Sequence, residues 1–312
     1  MKISANIVTY TLKRPFTISR GSRTTAEVIQ VSIEKNGKVG VGECSPTGRY
    51  GESFDSVLAE IESVNNTLFD RTSLKSFLPP GAARNGLDCA LWDLETDNFP
   101  DNFSLPQTIQ TAMTVSIGSP QDMADEAKGY VEQGATLIKV KLDADLVYER
   151  LAAVRAVAPD TTLVVDANEA WGSLDIATTL NQITSLNIAM VEQPLPADND
   201  EGLRNIASPI PLCADESCHT ADDVIALVDK YQMVNIKLDK TGGLTAAFEL
   251  EQAARTAGLQ IMVGCMLGSS IAMRAALPVA ATAIMVDLDG AFLISDDIDN
   301  GLHYQRGNIV LR

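Results

Sequence analysis

Histidine is nearly absent: His219 and His303 are the only two in 312 residues. A histidine-rich zinc site, an HExxH helix or a Ser-His-Asp triad therefore has little to build on. The five cysteines, Cys44, Cys89, Cys213, Cys218 and Cys265, are odd in number and scattered. That pattern suits a reducing cytosol better than a disulfide framework. Basic residues are also scarce, 24 against 41 acidic ones, for a net charge of −17. Such a surface repels nucleic acid and anionic membranes. It does not bar a small anionic substrate, because a metal or a local lysine pair can reverse the sign inside one pocket. No apolar run is long enough to span a bilayer. The opening MKISANIVTYTLKRPF has neither an apolar core segment nor a cleavage pattern, so the expected location is the cytoplasm. P-loop, GxSxG and a GxGxxG following a strand are all missing.

What is present is an ordinary globular composition, 46% hydrophobic and 21% charged, with length for two domains or for one barrel and an attached piece. From residue 111 an apolar strand, a polar turn and an amphipathic helix recur. Eight strands are expected, at 111–117, 136–143, 162–168, 188–195, 211–217, 233–240, 260–266 and 283–290. Ser119-Pro120 reads as a cap and first helical residue of a helix ending near Gly134, and a second helix runs from about Asp145 to Val157. Polar residues at successive strand ends recur about every 22–26 positions. Alternating strands and helices with short links imply parallel strands, and eight such units imply a closed barrel rather than an open doubly wound sheet. The first 110 residues differ: antiparallel strands folding back at Asn36-Gly37, then helices over ESFDSVLAEIESVNNTLF and AARNGLDCALWDLE. The expected architecture is α/β, a modified TIM barrel of (β/α)7β type over 109–290 with an α+β cap over 1–108. The tail 291–312 is expected to return to the cap as an edge strand.

Active sites of such barrels lie at the C-terminal ends of the strands. Those ends carry Thr114 and Ser116, Lys139 and Lys141, Asp166 and Asn168, Glu192, Asp215, Lys237 and Asp239, Gly264, and Asp287 and Asp289. One such acid alone is as readily a helix cap, but lysines oppose the dipole at a helix N-terminus and are poor caps. Asp166, Glu192 and Asp215 come from three consecutive strands. Three hard oxygen ligands without histidine or thiolate suit magnesium, with manganese second. Lys141 and Lys237, four strands apart in a ring of eight, are expected to face each other across the pocket. A neighbouring cation and partial burial would lower a lysine from about 10.4 towards neutrality, where it can take a proton. Lys139, beside Lys141, would disfavour its charged form; the structural alternative is an ion pair with a nearby acid. Bases on both faces of a carbon α to a carboxylate permit racemisation or epimerisation. Asp287 and Asp289 would hold an ammonium group at the far end of the substrate; a second metal, or solvated turn residues, is the alternative. Carboxylate, acidic C–H and ammonium together describe a short peptide.

These motifs resemble the enolase superfamily, and within it the muconate-lactonising-type subgroup, through KVK (139–141), DAN (166–168), EQP (192–194), DES (215–217) and IKLDKTGG (236–243). The resemblance covers essentially the whole chain. DLD at 287–289 is similar to the dipeptide epimerases, and AARNGLDCALWDLE, VVDANEAW and CADESCHTADD to the branch acting on alanyl-glutamate. It implies Lys141 and Lys237 as the acid/base pair, one magnesium per subunit at Asp166, Glu192 and Asp215, Asp287 and Asp289 on the dipeptide amino group, and recycling of cell-wall peptides. It also implies that two cap loops, 17–23 and 45–53, tune substrate choice. Arg20, Arg23 and Arg49 are equal candidates to pair with a substrate side-chain carboxylate, and Thr114 lies near the substrate by position. A lyase or cycloisomerase on the same scaffold, or a non-catalytic peptide-binding barrel, are the rival readings. Oligomeric state stays open.

Overall fold

The computed structural model describes residues 1–65 and 67–311. Three long strands, β1 (Lys2–Ile18), β2 (Gly21–Lys35) and β3 (Lys38–Cys44), form an antiparallel sheet in the order β1-β2-β3. Asn36 and Gly37 both have positive φ, 55° and 76°, as a two-residue type I′ hairpin requires. Two helices back this sheet, α1 (Phe54–Ser63) and α2 (Ala82–Glu95). Ser53 caps the first, its hydroxyl accepting from Ser56 N at 3.1 Å. Strand β3 lies almost on α2: a Cβ at Gly42 would come 2.2 Å from the Gly86 carbonyl oxygen. Only hydrogen at both positions allows that approach.

After a short strand β4 (Thr108–Gln110) come the eight parallel strands. They are β5 (Met113–Val115), β6 (Leu137–Lys141), β7 (Thr162–Asp166), β8 (Ile188–Glu192), β9 (Leu212–Ala214), β10 (Met233–Ile236), β11 (Gln260–Gly264) and β12 (Met285–Asp287). They pair in strict chain order, and Ala112 N donates to Val286 O at 2.8 Å, joining the first to the last. This is the barrel with an α+β cap that the repeat implies. Helix α3 (Pro120–Glu132) begins as expected, with Ser119 Oγ accepting from Asp122 N. The β8–β9 link carries 3-10 turns at Ala197–Asn199 and Glu201–Asn205, where Pro194, Pro196, Pro209 and Pro211 crowd the segment and disfavour an α-helix.

Three expectations need correcting. Beyond Lys237 the sixth strand turns into a helical turn, Leu238–Thr241, closed by Gly242 at φ 81°. Asp239 therefore does not share the strand face of Lys237. The last strand likewise ends at Asp287, and Asp289 precedes the helical turn Gly290–Leu293. The tail meets the cap at its start, where Leu12 bridges Ile294 and Ser295 N donates to Thr11 O. Its own strands, β13 (His303–Gln305) and β14 (Asn308–Val310), form a three-stranded sheet with β4 instead.

Candidate active site

The alternation of strand side chains builds the site in two steps. Ala112, Leu137, Val164, Met190, Cys213, Met233 and Met262 pack together as a buried apolar cluster inside the barrel, with Met285 against it. Two residues further along each strand, on the same face, stand Thr114, Lys139, Asp166, Glu192, Asp215, Asn235, Gly264 and Asp287. Two further again are Lys141, Lys237 and Asp289. Chemistry thus starts one pleat above an apolar floor, and the order of these residues along a strand sets their depth.

Asp166, Glu192 and Asp215 are buried, and each offers an oxygen within 4.8 Å of the other two. Asp166 Oδ1 accepts from Asn168 N at 2.8 Å, and its Oδ2 accepts from Lys141 Nζ at 2.6 Å. Asn235 Nδ2 donates to Glu192 Oε1 at 2.7 Å. Asp215 Oδ2 accepts from Lys237 Nζ at 2.6 Å, while Lys240 Nζ stands 2.7 Å from Oδ1. Glu192 Oε2 and Asp215 Oδ1 are buried without a hydrogen-bond partner. Ammonium groups stand 2.7 Å from each, Lys139 Nζ from Glu192 Oε2 and Lys240 Nζ from Asp215 Oδ1. Two orphaned lone-pair donors in an all-carboxylate set fit a hard divalent cation such as magnesium. Burial and Asp166 push Glu192 up to about 7. Burial has the same sign at Asp166 and Asp215, but there it is outweighed, by Lys139 and Lys141 in one case and by Lys237 and Lys240 in the other, and both fall below the usual carboxylate range.

Lys139 is fully buried. Its Nζ lies 2.7 Å from Asp287 Oδ2, 2.7 Å from Glu192 Oε2 and 3.1 Å from Asp166 Oδ2, the ion-paired arrangement weighed above. Burial works against its charge, but Asp166, Asp287 and Glu192 outweigh burial and hold the ammonium well above the ordinary lysine value. Lys237 is likewise raised: Asp215 and Glu192 overcome burial and the opposing Lys139. The downward shift expected for Lys237 is thus absent here, because carboxylates, not cations, are its nearest neighbours. Lys141 and Lys237 reach the same cavity from strands four apart, one attached to each side of the acidic triad.

That cavity, of about 450 Å³, lies between the barrel mouth and both cap loops. Asp287 and Asp289 line it. Asp287 Oδ1 is buried without a partner, whereas Asp289 Oδ2 accepts from Thr114 N at 2.8 Å. Burial and Asp287 push Asp289 up to about 7. Thr114 lines the cavity too. Of the loop arginines, Arg20 pairs with Glu216 at 2.9 Å and Glu169 at 3.4 Å, and Arg49 binds Glu169 through two bonds of 2.6 Å. Arg23, exposed on the cavity wall, has no ion-pair partner among the described residues. Asp239 faces the cap, its Oδ1 accepting from Ser45 N at 2.8 Å and Asn85 Nδ2 at 2.9 Å. Asn235, Lys240, Glu169, Glu216 and Gln193 were not singled out from the sequence. Asn235 had a signal, a polar residue facing inward in the apolar run MVNI. Gln193, at φ 37°, accepts from Asp215 N and Ser217 N through Oε1, and nothing in its own spacing announces that.

The mouth of this eight-stranded barrel carries an acidic triad between two lysines. Residues 122–311 match the family described as enolase C-terminal domain-like, and residues 2–100 the mandelate racemase / muconate lactonizing enzyme N-terminal domain. The chain belongs to this enolase-type family. It is 48% identical to the L-Ala-D/L-Glu epimerase of Escherichia coli (strain K12), over 96% of each chain. To the N-acetyl-D-glutamate racemase of a Pseudoalteromonas species it is 41% identical, over 90% of this chain and 92% of that one. Among solved structures, an enolase family member from Agrobacterium tumefaciens with bound sodium and L-Ala-L-Glu superposes with a TM-score of 0.94 at 41% identity, covering 99% and 97% of the two chains. A dipeptide epimerase from Enterococcus faecalis complexed with Mg and L-Leu-L-Tyr superposes with a TM-score of 0.90 at 28% identity, covering 100% and 96%.

Proposed function

We propose that the protein is an isomerase, a dipeptide epimerase that inverts the α-carbon of a C-terminal glutamate in alanyl-glutamate. One observation carries the substrate class: Asp287 Oδ1 is buried without a partner among the described residues, and Asp287 lines the cavity together with both lysines and Asp215 of the triad. A peptide ammonium satisfies that oxygen, and the substrates of the rival lyases have none to offer. Asp166, Glu192 and Asp215 would hold one magnesium ion, with manganese an alternative, and its charge would favour electron density on the substrate carboxylate as the α-proton leaves.

The chain's own groups then have separable tasks. Asp287, steered by Lys139, and Asp289, held by Thr114 N, receive the ammonium. Lys141 and Lys237 flank the α-carbon. A lysine in its neutral form accepts the α-proton at Nζ, the electron pair passes into the carboxylate, and the ammonium on the opposite face delivers a proton to the same carbon. Arg23, with no ion-pair partner among the described residues, meets the glutamate side-chain carboxylate; Arg20 and Arg49 are already paired. The five cysteines are free thiols, which supports a cytoplasmic setting; the role in recycling cell-wall peptides rests on the alanyl-glutamate substrate proposed above.

Incubation of the magnesium-loaded protein with L-Ala-L-Glu in deuterium oxide tests this. Deuterium at the glutamate α-carbon with formation of L-Ala-D-Glu is expected. Turnover of N-acetylglutamate with none of the dipeptide would replace the assignment of Asp287 and Asp289.

A further inference from the structure

Glu169 follows the metal-site segment Asp166–Asn168, and no step above uses it. Its backbone is left-handed, φ 70°, directly after Asn168 at φ 43°, a pair of conformations that non-glycine residues adopt only when held there. Barrel groups hold their amides, Asn168 N donating to Asp166 Oδ1 at 2.8 Å and Glu169 N to Gln193 O at 2.9 Å, and the cap holds the rest. Arg49 grips the Glu169 carboxylate through Nε and Nη2, both at 2.6 Å. From the other loop, Arg20 Nη1 reaches Glu169 Oε2 at 3.4 Å and donates to Asn168 O at 3.0 Å. Ser19 Oγ donates to that same carbonyl at 3.1 Å. Behind it, Ala197 N donates to Glu169 Oε1 at 2.8 Å, anchoring the carboxylate to the next barrel loop. One side chain thus joins the hairpin tip at 19–20, the turn at 48–50 and two barrel loops around the cavity rim.

We propose that Glu169 is a positioning residue for substrate capture: it latches both cap loops over the cavity and, with Glu216, neutralises Arg20 and Arg49 so that Arg23 is left as the unpaired cation at the mouth. The loop charges support this. Two arginines and two glutamates cancel, and a distal carboxylate entering the cavity meets one uncompensated guanidinium in one place. Bidentate arginine–carboxylate pairing fixes direction as well as distance, so the turn carrying Tyr50 is set against the Lys237 side of the cavity. Tyr50 stacks edge-on against His219 with ring centroids 4.6 Å apart. This inference rests on the dipeptide-epimerase reading for its kinetic consequence, but not for the latch itself.

Trypsin separates the two, because Arg20 and Arg49 are both cleavage sites and latch partners. In Glu169→Ala, cleavage after Arg20 and Arg49 should speed up about tenfold or more over wild type, the size of one lost charge-assisted contact. KM for L-Ala-L-Glu should rise by a similar factor while kcat stays within about threefold, since uniform binding is lost and the lysines are not touched. Glu169→Asp should restore part of both. Glu169→Gln, which still accepts from Ala197 N, should give the same pattern at smaller amplitude, and is the variant read if the alanine protein fails to fold. Wild-type cleavage rates and wild-type KM in the alanine or glutamine variant would overturn the latch. So would a fall in kcat at unchanged KM. A wild-type protein that does not turn over the dipeptide would overturn the activity reading, and the trypsin rates alone would then judge the latch.

Discussion

Lys237 and Lys141 differ in how each is held, and that difference makes the two-base reading testable one side chain at a time. Lys141 shares its acceptor, Asp166 Oδ2, with Lys139. Lys237 has its own, Asp215 Oδ2, and Lys240 Nζ stands 2.7 Å from the other oxygen of that carboxylate. Removing the Lys237 side chain therefore leaves Asp215 with a cation on one side, and the triad keeps its shape. In Lys237→Ala, epimerisation should fall by ~10²–10⁴-fold, the range of a lost general acid–base group. Solvent deuterium should still enter the glutamate α-carbon of only one of the two epimers, the one whose proton faces Lys141. Nuclear magnetic resonance in deuterium oxide, starting separately from L-Ala-L-Glu and L-Ala-D-Glu, reads this directly. Equal exchange into both epimers would remove Lys237 from the mechanism.

At the scale of elements, the cap is fastened to the barrel by buried polar groups, and these make the junction sensitive to pH. Glu43, at the end of β3, accepts from Ser269 N and Ser269 Oγ, both at 2.6 Å. Asp88 on α2 accepts from Thr245 N at 2.9 Å and Thr245 Oγ1 at 2.7 Å. Asp239, on the turn after β10, accepts from Ser45 and Asn85 through one oxygen. Burial pushes Asp239 up to about 7 and Asp88 up to about 6. An acid whose folded-state value exceeds its unfolded value, about 3.9 for aspartate, binds more protons folded than unfolded between those limits. Its contribution to stability is most favourable below pH 4 and declines as pH rises towards 7. Asp239→Asn keeps the acceptor oxygen and removes the charge. The variant should be more stable than wild type at pH 8, by roughly 1–2 kcal/mol after allowance for relaxation around the site. The difference should shrink or reverse at pH 4.5. Thermal melts at the two pH values check this; a variant less stable at pH 8 would show that the ionised carboxylate is the better partner.

Legibility in the sequence followed periodicity. Within β6 the period of two puts Leu137, Lys139 and Lys141 on one face, and the same count places Asp166, Glu192, Asp215 and Lys237 at the mouth. All of that can be read from single strands. Past the last paired residue the count fails. A count of two puts Asp239 on the face of Lys237, but the chain enters a helical turn at Leu238 and the side chain swings to the cap. Which of Lys139's two readings holds depended on depth, and depth depends on partners from β7, β8 and β12 that no single strand displays. Arg20, Arg23 and Arg49 could not be ranked for a similar reason. The partners of Arg20 and Arg49, Glu169 and Glu216, lie in loops more than a hundred residues away, and loop-to-loop contacts leave no periodic trace.

The whole molecule carries a net charge of −17, and the acids that matter for the substrate are gathered at one end of the cavity. Asp215, Glu216, Asp287 and Asp289 line the cavity with Lys139, Lys141, Lys237, Arg20, Arg23 and Arg49, but Asp166, Glu192 and Asp215 stand together at its triad end before a substrate with two carboxylates arrives. Arg23 offsets one of those carboxylates at the mouth. The α-carboxylate has to lie at the triad end, next to three acids whose like charge repels it at close range and low local dielectric. The protein's overall field adds to this rather than relieving it, although salt at physiological strength screens charges beyond about 8 Å. A divalent cation at the triad reverses the local sign, so the energetics order the two ligands: metal first, dipeptide second. Magnesium alone should raise the melting temperature, by about 2.7 kcal/mol of stabilisation at a hundredfold excess over its Kd. L-Ala-L-Glu should bind at least about tenfold more weakly, a loss of one charge-assisted contact or more, when the metal is removed with a chelator. Calorimetric titration of the dipeptide with and without magnesium measures it. Equal affinity in both conditions would mean that the α-carboxylate lies elsewhere in the cavity, and the roles given to Lys141 and Lys237 would move with it.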